Sequence, residues 1–320
     1  MRISVLDCIS PLTLDIESEA RHDAVETDRA VNRCVAAVTE SLKSPSKRFT
    51  DFQRQHLCQI FFSMRHAHRA IRELLRSDGT DPMSVNVMPL VRSQLETLFA
   101  ICLIVENSGS LDLYLKDGWK KLYVRHIMAR EECRGLPRVC NDLREQATHL
   151  EAFRLTSGVT EAEKHTINED ELGIPLPPGV ESERIKQFPS PLGVVRRIQD
   201  IDRKKMLKRL YPEYQFLCGF VHFSPASRIL STLLDHRQPI SQLSTTGQKY
   251  DIFQKEIAAP ALWFDLISIV QSCCEFVSVY SADVELVTAT AEAWQSIVNK
   301  SLVGRVVWEL RTRKLLGALA

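Results

Sequence analysis

Tyr214, Cys218 and His222 stand four residues apart in the stretch "YQFLCGFVHFSPAS", so on a helix they share one face, with Leu217 and Val221 beside them. Imidazole titrates near neutral pH, so a histidine here can exchange protons under physiological conditions. A second polar pair interrupts the most apolar run of the chain, "VRSQLETLFAICLIVE". Arg92 and Glu96 are four apart, on a face that Phe99 and Leu103 continue. On a surface such a pair adds a few tenths of a kcal/mol. Buried, it must overcome several kcal/mol of desolvation per ion and needs further hydrogen-bond partners. A tyrosine hydroxyl and an imidazole are suitable partners. We therefore expect Arg92, Glu96, Tyr214 and His222 to meet inside a helical bundle. Two chemistries fit that cluster. One is a satisfied polar network that fixes helix register. The other is catalysis, with His222 as acid–base tuned by Glu96 and Arg92 carrying phosphate charge.

Another Arg/His pair, Arg144 and His149, lies in "LREQATH". Val139, Leu143, Leu150 and Phe153 take the apolar face there, which leaves the pair on a polar flank. A basic stretch precedes Tyr214 directly. In "RRIQDIDRKKMLKRLYPEY", Arg196, Arg197, Arg203, Lys204, Lys205, Lys208 and Arg209 alternate with Ile, Met and Leu. The C-terminal "GRVVWELRTRKLL" is also basic and amphipathic. Such a face is either solvated, with snorkelling stems, or tracks phosphates or docks a partner helix. Nucleic acid is the ligand such residues would take, and RNA if the chain is a ribonuclease.

Other chemistries lack their signals. His66 and His68 in "RHAHR" are two apart and point away from each other on a helix. Cys133 and Cys140 have no partner pair, and there is no H-E-x-x-H, phosphate-binding loop, dinucleotide fingerprint or nucleophile elbow. No metal and no cofactor are expected. The nine cysteines show no C-x-x-C spacing, and adjacent Cys273 and Cys274 read as core packing. A net charge of +1 excludes a global footprint for nucleic acid or anionic lipid. The N-terminal stretch has no long apolar core and does not read as a signal peptide. The run "LETLFAICLIV" is too short to span a bilayer without its flanks. These features point to a cytoplasmic protein with no membrane segment.

The elements that must position these residues are helical. Val31, Cys34, Val35, Val38 and Leu42 make one apolar stripe over about 24–42. A second helix is expected over 49–75, with Phe52, Ile60, Met64, Ile71 and Leu75 inward. Further helices are expected over about 84–106, kinked or restarted at Pro89, and over 111–132 and 138–154. Residues 156–192 are rich in Pro, Gly and acids and read as a loop insertion. Helices resume over 193–210, then after helix-initiating prolines at Pro212 and Pro225, then over 253–280. Apart from a possible short strand at "RISVL", no alternation suggests a sheet. The expected fold is all-α, a single helical domain over 1–320. It comprises an N-terminal arm (1–48), a bundle core (49–155 and 193–280), the loop insertion (156–192) and a C-terminal helix (281–320). Apolar terminal helices point to a homo-oligomer or a protein partner.

R-x-x-x-E at Arg92 and Glu96, followed by Y-x-x-L-x-x-x-V-H at Tyr214, Leu217, Val221 and His222 and then Ser-Pro, resembles a bacterial family of helical domains of unknown function. "AHRAIRELL" in the preceding helix fits it too, and the similarity spans about 49–280. That family carries a Ser where this chain has Cys218 or Gly219. The resemblance implies an intracellular bacterial protein with a largely helical fold, and no activity. Separately, Arg144 and His149 are similar to the R-x4-6-H signature of HEPN-type ribonucleases, where Arg and His handle the scissile phosphate and the 2′-hydroxyl attacks. The expected function is a helical binding or interaction protein of a bacterial stress or phage-defence system. The alternative is a metal-independent, HEPN-like ribonuclease or toxin.

Overall fold

The computed structural model of the chain describes residues 16–75, 87–133, 136–221 and 258–317. Among them every regular element is helical, so the fold is all-α. Arg2–Leu6, Pro225 and His222 lie outside the described residues. The chain divides into two compact units, residues 1–106 with 191–320, and residues 107–190. The boundaries fall at "NSGS", where turn residues follow the end of a helix at Glu106, and at "PSP", where a helix begins at Pro191.

In the first unit, α1 (Ile16–Ser41) buries the expected stripe of Val31, Cys34, Val35 and Val38, with Leu42 just past its end. It packs on later helices of the unit, so residues 1–48 are not a separate arm. In α2 (Asp51–Leu75) Thr50 accepts from the Gln53 amide at 3.2 Å, while the Gln53 side chain accepts from the Thr50 amide at 3.1 Å. That reciprocal cap fixes the helix start. Leu57, Phe61, Met64, His68 and Ile71 are its buried stripe. Phe52, expected inward, is exposed and meets His56 edge-on instead. Pro89 falls in the first turn of α3 (Val87–Glu106), where its missing N–H costs no intrahelical bond.

The second unit contains α4 (Gly109–Glu132), α5 (Pro137–Thr156) and α6 (Glu161–Leu172). Residues 161–172 were expected to be loop. Thr160 and Glu163 instead form a capping box, and Gly173 ends the helix at φ 66°, a left-handed conformation that favours glycine. Ile167 and, further along, Ile185 pack with Trp119, Ile127 and Val159. The Trp119 indole donates to the Leu150 carbonyl at 2.8 Å. Ile167 and Ile185 thus anchor the acid-rich stretch to a packed core, while most of residues 173–190 stay irregular and exposed.

The first unit continues with α7 (Pro191–Arg197), α8 (Ile201–Val221), α9 (Ala259–Val277) and α10 (Val284–Val298). Asp200 caps α8 by accepting from the Arg203 amide at 2.9 Å. Pro212 does not start a helix, contrary to expectation, but sits inside α8 on its exposed side. α9 is buried nearly all round and packs on α1, α2, α3 and α10. By length and composition α3 and α9 could each cross a membrane, and both bury most of that apolar surface within the unit. The expected single C-terminal helix is broken into α11 (Leu302–Val307), a π-helical turn (Trp308–Thr312) and α12 (Arg313–Gly317). Ser301 caps α11 at the Gly304 amide. A Cβ at Gly304 would lie 2.5 Å from the Ile297 side chain, so this close approach requires glycine.

Candidate functional site

Most of the predicted polar cluster comes together. The Arg92 Nη2 donates to the Tyr214 hydroxyl at 3.0 Å and its Nε donates to the Cys218 sulfur at 3.2 Å. The guanidinium also lies over the Tyr214 ring, 5.3 Å from its centroid, a cation–π arrangement. Glu96 is 3.5 Å from Arg92, but its side chain is 46% exposed against 24% for Arg92. The cluster therefore lies at the margin of the bundle and not in its interior. Partial burial opposes the charge on Arg92, yet the bonds to Tyr214 and Cys218 and the nearby Glu96 outweigh it and hold its pKa above the ordinary value. Burial pushes the Tyr214 hydroxyl up to about 12 against the pull of Arg92, so it stays protonated at neutral pH.

Arg144 and His149 are both exposed on α5. Five residues apart on a helix, they are separated by about 140° around the axis. Arg144 donates to Asn141 at 2.9 Å, and His149 lies 3.9 Å from Glu145. The structure does not join them into one site.

The basic stretch divides sharply. Arg203, expected to contact nucleic acid, is buried at 4% exposure. Its Nε and Nη2 donate to Glu275 at 2.9 and 2.8 Å, and its Nη1 to Glu106 at 2.9 Å. Arg311 reaches the same Glu275 at 3.0 and 2.9 Å and Asp200 at 3.0 Å. Gln271 donates to Glu275 at 2.8 Å and accepts from Thr312 at 2.7 Å. Burial raises the pKa of Glu275, and the two guanidiniums more than reverse that, so it stays ionised. Arg209 is also committed, donating to buried Glu213 at 2.8 Å. Burial closes Arg203 to a phosphate, and Arg209, a third exposed, is already paired through its Nη1.

Arg196, Arg197, Lys205 and Lys208 remain exposed, and Lys204 is half-buried. Arg196, Lys204 and Lys208 converge with Leu192, Val195 and Tyr211 on a groove of about 380 Å³ between α7 and α8. None of these lining residues is acidic. Lys204, Lys208 and Tyr211 are four and three residues apart, which places them on one face of α8. Tyr211 stacks on Tyr214 with ring centroids 6.1 Å apart and planes at 28°. The groove thus adjoins the Arg92 cluster. Its apolar wall and Tyr211 were not singled out on the sequence, although the Lys-x-x-x-Lys-x-x-Tyr spacing was readable.

A second buried network also escaped the sequence reading. The two ring nitrogens of His68 face Asp265 at 2.5 Å and Asp28 at 3.0 Å. Gln94 donates to the other Asp265 oxygen at 3.0 Å. Burial disfavours a charged imidazole, but the two carboxylates prevail and raise its pKa to about 9. His66 is exposed while His68 is buried, as their spacing requires. Among the described residues no three His, Cys, Asp or Glu side chains group to hold a metal ion. Comparison with protein-family models, with curated proteins and with solved structures found no match to this chain.

Proposed function

We propose that this chain is a helical binding module that holds an RNA strand on the basic face of α7 and α8. The observation that carries the reading is the convergence of Arg196, Lys204 and Lys208 on one groove, with no carboxylate in its lining. Arg197 and Lys205 add exposed positive charge on the same two helices. Arg92, which a nuclease would need at the scissile phosphate, already donates to Tyr214 and Cys218. That favours a structural role for the Arg92–Glu96–Tyr214 cluster over a catalytic one. The proposed setting is a bacterial cytosolic stress or phage-defence system; the family resemblance itself suggests only an intracellular bacterial protein.

Binding of a labelled RNA at increasing salt tests this. Five cations on phosphates would give a slope of log K against log[salt] approaching about −3.5, or roughly 100-fold weaker binding from 50 to 200 mM. A flat response would sink the proposal. RNA cleavage that disappears in both His222→Ala and Arg92→Ala would favour the ribonuclease instead.

A further inference from the structure

Resting on that reading, we propose that the groove seats an unpaired nucleotide of a single-stranded RNA, its base against Tyr211 and its phosphates on Arg196, Lys204 and Lys208. The shape and lining of the groove argue for more than a polyanion track. A volume of about 380 Å³ falls in the range of small-molecule pockets. Half of its lining, Leu192, Val195 and Tyr211, is apolar or aromatic. A phosphate backbone alone would leave that wall in contact with water. A base has the π-face and apolar edges that would cover it.

Charge and ring are also arranged for a single nucleotide unit. Lys204 and Lys208 lie one turn apart, about 6 Å along α8, and Tyr211 follows less than one turn later on the same face. The Tyr211 ring is backed by Tyr214, and Tyr214 is pinned by a hydrogen bond and a cation–π contact from Arg92. Arg92 and Tyr214 therefore act as positioning residues for Tyr211. A duplex hides its base faces in its own stack and would engage only the cations. The groove consequently selects single strands.

The test compares three ligands on the full chain by fluorescence anisotropy: a short unstructured RNA, the same RNA annealed to its complement, and free AMP as competitor. The single strand should bind at least tenfold more tightly than the duplex. Tyr211→Ala, checked for fold by circular dichroism, should lose about 5- to 150-fold in affinity, the equivalent of one base–aromatic stack, with the salt slope unchanged. Tyr211→Phe should bind like wild type. Lys208→Ala should weaken binding and reduce the salt slope by about 0.7. Equal binding of duplex and single strand, or wild-type affinity in Tyr211→Ala, would overturn the inference while leaving RNA binding intact. Displacement of the RNA by micromolar AMP would also overturn it, assigning the groove to a free nucleotide. Absence of any RNA binding at low salt would instead remove the functional proposal beneath it.

Discussion

Replacing Glu275 with Gln should destabilise the first unit strongly while barely changing its shape. Glu275 is fully buried, and its two oxygens accept five hydrogen bonds from Arg203, Arg311 and Gln271. The amide removes the negative charge and turns an N–H group toward one guanidinium. Breaking a buried pair from one side costs about 3–5 kcal/mol, because the remaining charge stays buried. Arg203 keeps Glu106 and Arg311 keeps Asp200, so the lower end, about 3 kcal/mol, is expected here. For a unit of this size that corresponds to a fall in Tm of roughly 6–12 °C. A chain of two compact units need not melt in a single step, so hydrogen exchange should accompany the melt. Protection should drop in α8 and α9 and stay unchanged in α4 and α5. The pH dependence has a definite sign. The folded pKa of Glu275 lies below its ordinary 4.5, so its contribution is complete above that value and lost as pH falls through the folded pKa. Wild type should lose stability in that acidic window, and the Gln variant should lose less. An unchanged melt in Glu275→Gln would refute the view that this network holds α8, α9 and the C-terminal turn together.

Two further substitutions probe the scaffold. His68 has its pKa raised from 6.5 to about 9, so its stabilisation is complete below pH 6.5 and lost as pH rises through 9, about 3 kcal/mol in all. Urea denaturation at pH 6 and pH 9.5 should show that loss in wild type and a much smaller one in Asp265→Asn. Gly304→Ala should cost about 1–3 kcal/mol through overpacking against Ile297, read as a lower Tm.

The helical class was legible because apolar stripes such as Val31–Cys34–Val35–Val38 repeat at the helical period and are buried as that period requires. The contact of Arg92 with Tyr214 was also legible, since Arg92 interrupts an apolar helix and Tyr214 opens the apolar end of α8. Residues 173–190 carry no helix, as their Pro and Gly content suggested, but α6 within the 156–192 segment was not legible because it buries only Glu163, Thr166 and Ile167, too few for a stripe. Arg203 was misread for a different reason. Arg203 and exposed Lys205 stand two apart in one basic run, and composition does not show that Glu275, some seventy residues later, takes one of them inward. An acid inside an apolar helix, as Glu275 in "SCCEFV" or Asp265 in "WFDLIS", was the available signal. His68 likewise sits where a core residue belongs in the α2 stripe, with partners from distant helices that no local pattern reveals.

The claim that α7 and α8 carry the ligand is tested most directly by mapping where a photo-crosslinkable single-stranded RNA attaches to the intact protein. Mass spectrometry should find the crosslinks within residues 191–211, with Tyr211 the principal site. Crosslinks concentrated on α5 around Arg144 and His149, or on the C-terminal basic segment around Arg305 and Lys314, would contradict it.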